Sequence, residues 1–402
     1  MSNIFVNINA IAYVLLLVLA WYKRKTFDIY VLLVFLYAFT AVMCVGNFYS
    51  EREGYWTLGI GAFIYLFIVL LIFLYPIKHF SLESKKFIFK DNGYYVTLSI
   101  IFIFFAIYDI ITSFGHTQEI IQSGAYADLR LQAYTDAESV EYYSSGFQRF
   151  AKNTNSYLKP FAIAYFYNKL TQEKTNKFFI IALFVAIVAP SFIAAVADAS
   201  RAMLVIIASQ LAIGYFIYKQ SIPRSRKRLL MFGALAVLAV FIAYSLAVTV
   251  SRFGDEANNS LFFYFGHSML AFNDGVFYSM TQFSCGSKFL DWFVSLFGLE
   301  SYFPRAMGVT RPGAFITFIG SLFTDFGFWG TPLIALLGVF IMNRFFTKPY
   351  IKMSNTIMII FYCTTIANGI FVSPLHRGLS WLMTFVVYFI VKLGERSVTK
   401  QK

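Results

Sequence analysis

The chain has 402 residues, of which 59% are hydrophobic, 20% aromatic and only 13% charged, with a formal charge of +13. A soluble domain carries about twice that charged fraction, so an ordinary water-soluble fold is excluded. The positive excess falls in short clusters between long apolar runs, which argues for orientation in a bilayer and against nucleic acid as a partner.

Residues 57–75 and 229–250 contain no charged side chain. Each run has about the twenty residues that a helix needs to cross the hydrocarbon core. Comparable segments near 3–22, 27–46, 57–76, 94–113, 157–169, 178–197, 202–218, 229–250, 326–343, 355–372 and 379–391 predict about eleven transmembrane helices. The expected fold is therefore an all-α integral membrane protein, one polytopic bundle over residues 1–402.

Basic clusters mark one side of this bundle: Lys23 to Lys25, Lys78 to Lys90, Lys169 to Lys177, Lys219 to Arg228, Arg344 to Lys352, and the tail from Lys392. Glu119, Asp128, Asp136, Glu138, Glu141, Asp255, Glu256, Asp291 and Glu300 fall on the other side. Because cytoplasmic loops are enriched in Lys and Arg, the pattern predicts an outside N-terminus and a cytoplasmic C-terminus. The first positive cluster follows the first span, so that span reads as an uncleaved anchor. Two long outer segments result, at about 114–156 and about 251–325.

In the first of these, Ile120, Ile121, Ala125, Leu129 and Tyr134 recur at helical spacing, which predicts a helix lying along the interface. Its Tyr and Phe residues suit an interfacial aromatic belt, and they also suit stacking on sugar rings. In the second, residues 261–283 are apolar but carry His267, Asn273, Asp274 and Gly275. A simple span would bury the carboxylate at its centre, at a cost of at least a few kcal/mol, and would invert everything downstream. A re-entrant segment, or a pair of helices in the outer leaflet, fits better. Cys44, Cys285 and Cys363 suggest no disulfide framework, and no spacing of Cys and His suits a metal.

Outer-face charges supply the candidate chemistry. Arg201 and Arg377 stand immediately before predicted spans that run inward. A cation at a helix N-terminus is electrostatically misplaced unless an anion joins it, and the pair of N–H groups and guanidinium suits phosphate. Pairing of Arg201 with Asp198, and anchoring of Arg377 to lipid headgroups, are the structural alternatives. Arg252 ends a span, where a cation is favoured in any case. Arg305 and Arg311 lie in a loop punctuated by Pro and Gly, FPRAMGVTRPG. Asp325 has two readings: an N-cap for the span that follows, or a carboxylate that orients an arginine or takes a proton. His267 and His376 are the other candidate bases.

The string Thr317, Gly320, Asp325, Phe326, Gly327 and Gly330, running into a span, resembles the late signature of the bacterial oligosaccharide repeat-unit polymerases, the Wzy-type O-antigen and capsule polymerases. Ser200-Arg201 and Arg252 resemble that family's arginine positions, and span number, the large late loop and richness in Phe and Tyr agree. Some members also carry an Arg, ten residues and a Gly in paired outer loops, a spacing no Arg here has. The resemblance implies polymerisation of polyprenyl-diphosphate-linked oligosaccharides on the periplasmic face of the inner membrane. Arg201, Arg252, Arg305, Arg311 and Arg377 would hold the diphosphate, and Asp325, His267 or His376 would take the acceptor's proton, without a cofactor or metal. A chain-length regulator as a further partner stays open. The related O-antigen ligases, and a flippase or transporter for the lipid-linked sugar, are the competing expectations.

Overall fold

In the computed structural model a helix occupies most of each of the eleven predicted segments, although the one predicted at 355–372 ends at Asn368. The structure describes residues 1–50, 56–80, 86–87, 92–123, 146–173, 175–197, 202–253, 260–309, 316–371 and 378–400. The helices are α1 (Ser2–Arg24), α2 (Ile29–Tyr49), α3 (Ile60–Lys78), α4 (Gly93–Ser123), α5 (Gly146–Thr171), α6 (Lys177–Ala197), α7 (Ala202–Tyr218) and α8 (Arg224–Phe253). After them come α9 (Ser260–Phe272), α10 (Asp291–Leu296), α11 (Thr317–Phe346), α12 (Met353–Asn368) and α13 (Gly378–Lys400). Two short strands, β1 (Lys86–Phe87) and β2 (Tyr350–Ile351), pair in parallel.

Among the described residues, seven helices are long and apolar enough to cross a membrane: α1, α2, α3, α4, α6, α8 and α11. Helix α7 is apolar but shorter. Their apolar length, about 1.5 Å per residue, places them in the range of a hydrocarbon core.

The chain divides into two units. The first comprises Met1–Lys85, Asn258–Pro349 and Phe361–Met383. Within it α1 packs on α2, α2 carries α9, and α3 carries α11. Asp28 caps α2 by accepting from Val31 N–H at 2.9 Å, and Arg24 reaches Asp28 at 3.4 Å. Leu58 N–H donates to Ser2 Oγ at 3.3 Å, so the N-termini of α1 and α3 lie at the same end of this unit. Helix α9 lies close along α2 because Gly266 faces the Met43 and Cys44 backbone, where a Cβ would collide.

The second unit comprises Lys86–Ala257, Tyr350–Ile360 and Thr384–Lys402. Helix α4 packs on α5 and α6, and α7 packs on α5 and α6. The C-terminal carbonyls of α5 are collected by the Arg226 guanidinium, which donates to Leu170 O and Glu173 O, each at 2.9 Å, and to Gln172 O. A cation at the end of a helix also complements its dipole. Ser354, in the first turn of α12, donates through N–H and Oγ to the Glu395 carboxylate at 2.9 and 2.8 Å.

The interfacial helix expected from Ile120 onward differs from what is found. Helix α4 runs on to Ser123, and Ile120 is buried against Ala195, Val196, Leu204, Tyr244 and Val248. Its apolar spacing therefore serves the packing of a long helix; Ala125, Leu129 and Tyr134 lie outside the described residues.

Candidate functional site

The late segment of the first unit is built on polar side chains that hold backbone. Helix α9, 13 residues as described, runs directly into a π-turn at Asn273–Phe277. The Asn273 amide pairs with Gly59 in both directions, accepting from its N–H at 2.9 Å and donating to its C=O at 2.8 Å. Asp274 accepts from Thr57 N–H at 3.2 Å. The backbone leading into α3, at Thr57 and at its N-cap residue Gly59, is thus held by the two residues that made a simple span at 261–283 implausible. The chain then returns alongside itself, with Thr281 N–H bonded to Met307 O at 3.1 Å and Met307 N–H to Gln282 O at 3.0 Å.

Asp325 anchors the next part. Its carboxylate is 2% exposed, so its partners define its role. One oxygen accepts from Gly286 N–H at 2.9 Å and Lys288 N–H at 3.3 Å, and the other from Phe289 N–H at 2.8 Å. The N-cap reading is corrected here: the carboxylate bonds to residues 36 to 39 positions upstream, not to the start of the following helix. That helix breaks two residues later. Gly327 has φ 71° and ψ −170° inside α11, a conformation that costs a residue with a Cβ, and the Phe283 ring stands 3.0 Å from where that Cβ would be.

A break in an α-helix frees carbonyl groups, and in an apolar setting each needs a partner. Here Thr324 O accepts from Ser284 N–H and Oγ, each at 3.2 Å, and Gly327 O accepts from Thr331 Oγ1 at 2.8 Å. Phe328 O accepts from Tyr65 Oη at 2.9 Å. The Tyr65 ring also packs with Phe277 and Phe323, at 5.3 and 5.5 Å between centroids. Thr317 starts α11 with φ 64°, unusual for a β-branched residue, and its Oγ1 accepts from Gly320 N–H at 3.1 Å. Gly320 itself faces the Phe272 ring, 2.9 Å from where a Cβ would be. Most of the Thr317-to-Gly330 signature is therefore spent on shaping and anchoring this segment.

His267, on α9, is buried, with its ring edge-on to Trp56 at 5.7 Å and tilted over Phe263 at 4.8 Å. Arg305 is exposed on the returning loop. Arg201, Arg311, Arg377 and His376 lie outside the described residues. Arg252 falls in the last turn of α8, and its side chain is not among those described. Among the described residues, no group of His, Cys, Asp and Glu is arranged to hold a metal ion.

The second unit contains a polar seam that sequence reasoning passed over. Asp109 on α4 is 5% exposed, inside an apolar run. The positive charges of Lys152 and Lys159 on α5 both act on it. Ser113 Oγ lies 3.4 Å from its Oδ1, and Gln148 Nε2 donates to Ser113 Oγ at 3.5 Å. Lys159 Nζ donates to Ser191 Oγ of α6 at 2.8 Å. Asn155 is 1% exposed, and neither end of its amide has a hydrogen-bond partner. A signal was present, since an ionisable residue within a predicted span is costly and calls for a partner.

Comparison with protein-family models, with curated proteins and with solved structures finds no match for this chain.

Proposed function

We propose that the chain is a multi-pass glycosyltransferase of the bacterial inner membrane that joins polyprenyl-diphosphate-linked oligosaccharide repeat units on the outer face. The observation that supports this reading most is the construction of the late segment. The residues that carry the resemblance, from Thr317 to Gly330, are also those that break α11 and tie residues 284–289 to it. A segment so anchored is a suitable platform for Arg305 and Arg311 in this reading, with eleven spans and the N-terminus outside.

The leaving group would be a polyprenyl diphosphate. Its departure needs positive charge already in place, which guanidinium groups provide in a geometry matched to phosphate. Arg201, Arg252, Arg305, Arg311 and Arg377 fill that role. Asp325 has its oxygens committed to three amides, so in this scheme it positions the loop, and His376 or His267 takes the acceptor's proton.

The test is a cell strain lacking its own repeat-unit polymerase, supplied with this chain and the matching lipid-linked repeat. The chain should produce a ladder of polysaccharide lengths, and the Arg201→Ala, Arg311→Ala double variant should lose it while still inserting in the membrane. Full-length polymer from the double variant would remove the diphosphate role.

The seam of the second unit favours a second reading, transport of the lipid-linked sugar, because polar and charged groups inside helices are what a conduction path requires. Movement of a labelled lipid-linked repeat across vesicles containing only this chain, with no rise in product length, would select that reading.

A further inference from the structure

Residues 290–297 follow directly on the segment that Asp325 holds, and they present apolar side chains outward. Leu290, Phe293, Leu296 and Phe297 are all exposed, Leu296 at 70% and Phe297 at 60%. At about 100° per residue, α10 and its two cap residues place these four within an arc of about 120°. Asp291 and Ser295 fall on the opposite side and are exposed as well, whereas Val294, between the two faces, is only 4% exposed. Helix α10 therefore rests on the protein along one flank and turns an apolar and a polar face in opposite directions. From Trp292 to Leu299 the chain carries no charged side chain.

The depth of this segment follows from α11. Arg344 stands in the last turn of that helix, and a hydrocarbon core of about 30 Å takes about twenty residues counted back from it. The count reaches Asp325, which puts the break in α11 at one edge of the core. Phe289 N–H bonds to Asp325, and the Phe289 and Phe326 rings lie 5.9 Å apart, so α10 begins at the same edge. Trp329, exposed in the first turn after the break, suits that boundary, where indole rings concentrate.

Backbone that enters such a layer needs its polar groups satisfied within the chain. Phe293 and Val294 N–H donate to Leu290 O at 2.8 and 2.9 Å, and Phe297 N–H donates to Phe293 O at 3.2 Å. Gly298, with φ 62°, ends the helix, and Leu299 N–H donates to Val294 O at 2.9 Å. An aromatic-rich face without charge, a polar face turned away from it and a position at the edge of the core together describe a helix lying in a membrane interface.

We propose that residues 290–297 form a wedge that lies in one leaflet of the bilayer, at the end where α11 breaks. Leu290, Phe293, Leu296 and Phe297 enter the upper acyl chains, and Asp291 and Ser295 face water. The partner is the lipid surface itself, and through Asp325 the wedge fixes the broken helix at that surface. The inference uses none of the residues assigned to diphosphate binding or proton transfer, and it holds whether glycans are joined or moved.

The test uses the full-length protein with Cys285→Ser in phospholipid nanodiscs; Cys44 and Cys363 are buried. Nitroxide labels are placed at Phe293→Cys and at Leu296→Cys, with Ser295→Cys as the reference on the other face. Collision with oxygen, which concentrates among acyl chains, and with a water-soluble nickel chelate reports the depth of each label. Labels at 293 and 296 are expected about 5–10 Å inside the headgroup boundary, with an oxygen-to-nickel ratio roughly fivefold above that at 295. Equal ratios at the three positions, with nickel reaching each, would overturn the proposal. Labels at 293 and 296 shielded from both reagents would also overturn it, because that result means a protein partner or a second copy covers the face. If a label disturbs the turn, Phe297→Trp carries the test: the emission it adds should be quenched by phospholipid brominated on its acyl chains. Quenching of that emission by aqueous iodide instead would count against the wedge.

Discussion

The late segment of the first unit and the seam of the second both place polar side chains in apolar surroundings, and they treat them in opposite ways. Asn273, Asp274 and Asp325 spend their hydrogen bonds on backbone N–H and C=O groups that the chain's own turns would otherwise leave unpaired. Asp109, Asn155 and Lys159 meet mostly side chains, and Asn155 meets none. The first arrangement stabilises a fold. The second costs stability and keeps bonding capacity in hand. Polarity inside a membrane protein thus points to function only after its partners have been counted.

The largest expected effect comes from removing the most heavily used group. Asp325→Ala leaves the partly buried N–H groups of Lys288 and Phe289 without an acceptor, at about 1–3 kcal/mol each, and the Gly286 N–H with only its 3.4 Å bond to the carbonyl of residue 325. A loss on the order of 3–5 kcal/mol should appear as a marked drop in the thermal midpoint of the purified protein, with new proteolytic cleavage within 284–290. Unchanged stability together with lost polymer would instead return Asp325 to a chemical role and dissolve the contrast between the two regions.

Asn273→Leu should act in the same direction but less strongly. It strips Gly59 of partners for both its N–H and its C=O, about 2–3 kcal/mol in all. The expected readout is faster hydrogen exchange at residues 57–61, the entry into α3, with exchange in α4 to α6 unchanged. Equal effects in both units would show that the amide does more than cap one helix.

How much of this was legible in the chain follows from the range of each interaction. The helices were visible because an apolar run of thirteen to twenty-two residues is a local signal. An interruption within 261–283 was visible from Asn273 and Asp274, although not the fact that Thr57 and Gly59, more than 200 residues earlier, would meet them. Neither reading of Asp325, N-cap or reactive carboxylate, included the amides it meets, because these lie 36 to 39 residues upstream, beyond any local pattern. Asp109 was hidden differently. A single carboxylate barely lowers the mean over FFAIYDIITSF, so the window that found the span also averaged away its most informative residue.

The smallest stability change should come from Asn155→Leu, and its size is what gives the comparison force. The amide has no partner to lose, so its removal leaves no donor or acceptor stranded, while a similar volume of apolar atoms enters a buried position. Replacing an unsatisfied polar group in this way is nearly neutral or stabilising, within about 1 kcal/mol. The thermal midpoint should therefore hold or rise, whereas Asp325→Ala and Asn273→Leu lower it. A residue that can be removed without harm to the fold, yet is buried on the helix that also carries Lys152 and Lys159, has its reason outside the fold. If Asn155→Leu instead destabilised the protein as strongly as Asn273→Leu, its amide would have partners within the protein after all, and the seam would be structural like the late segment.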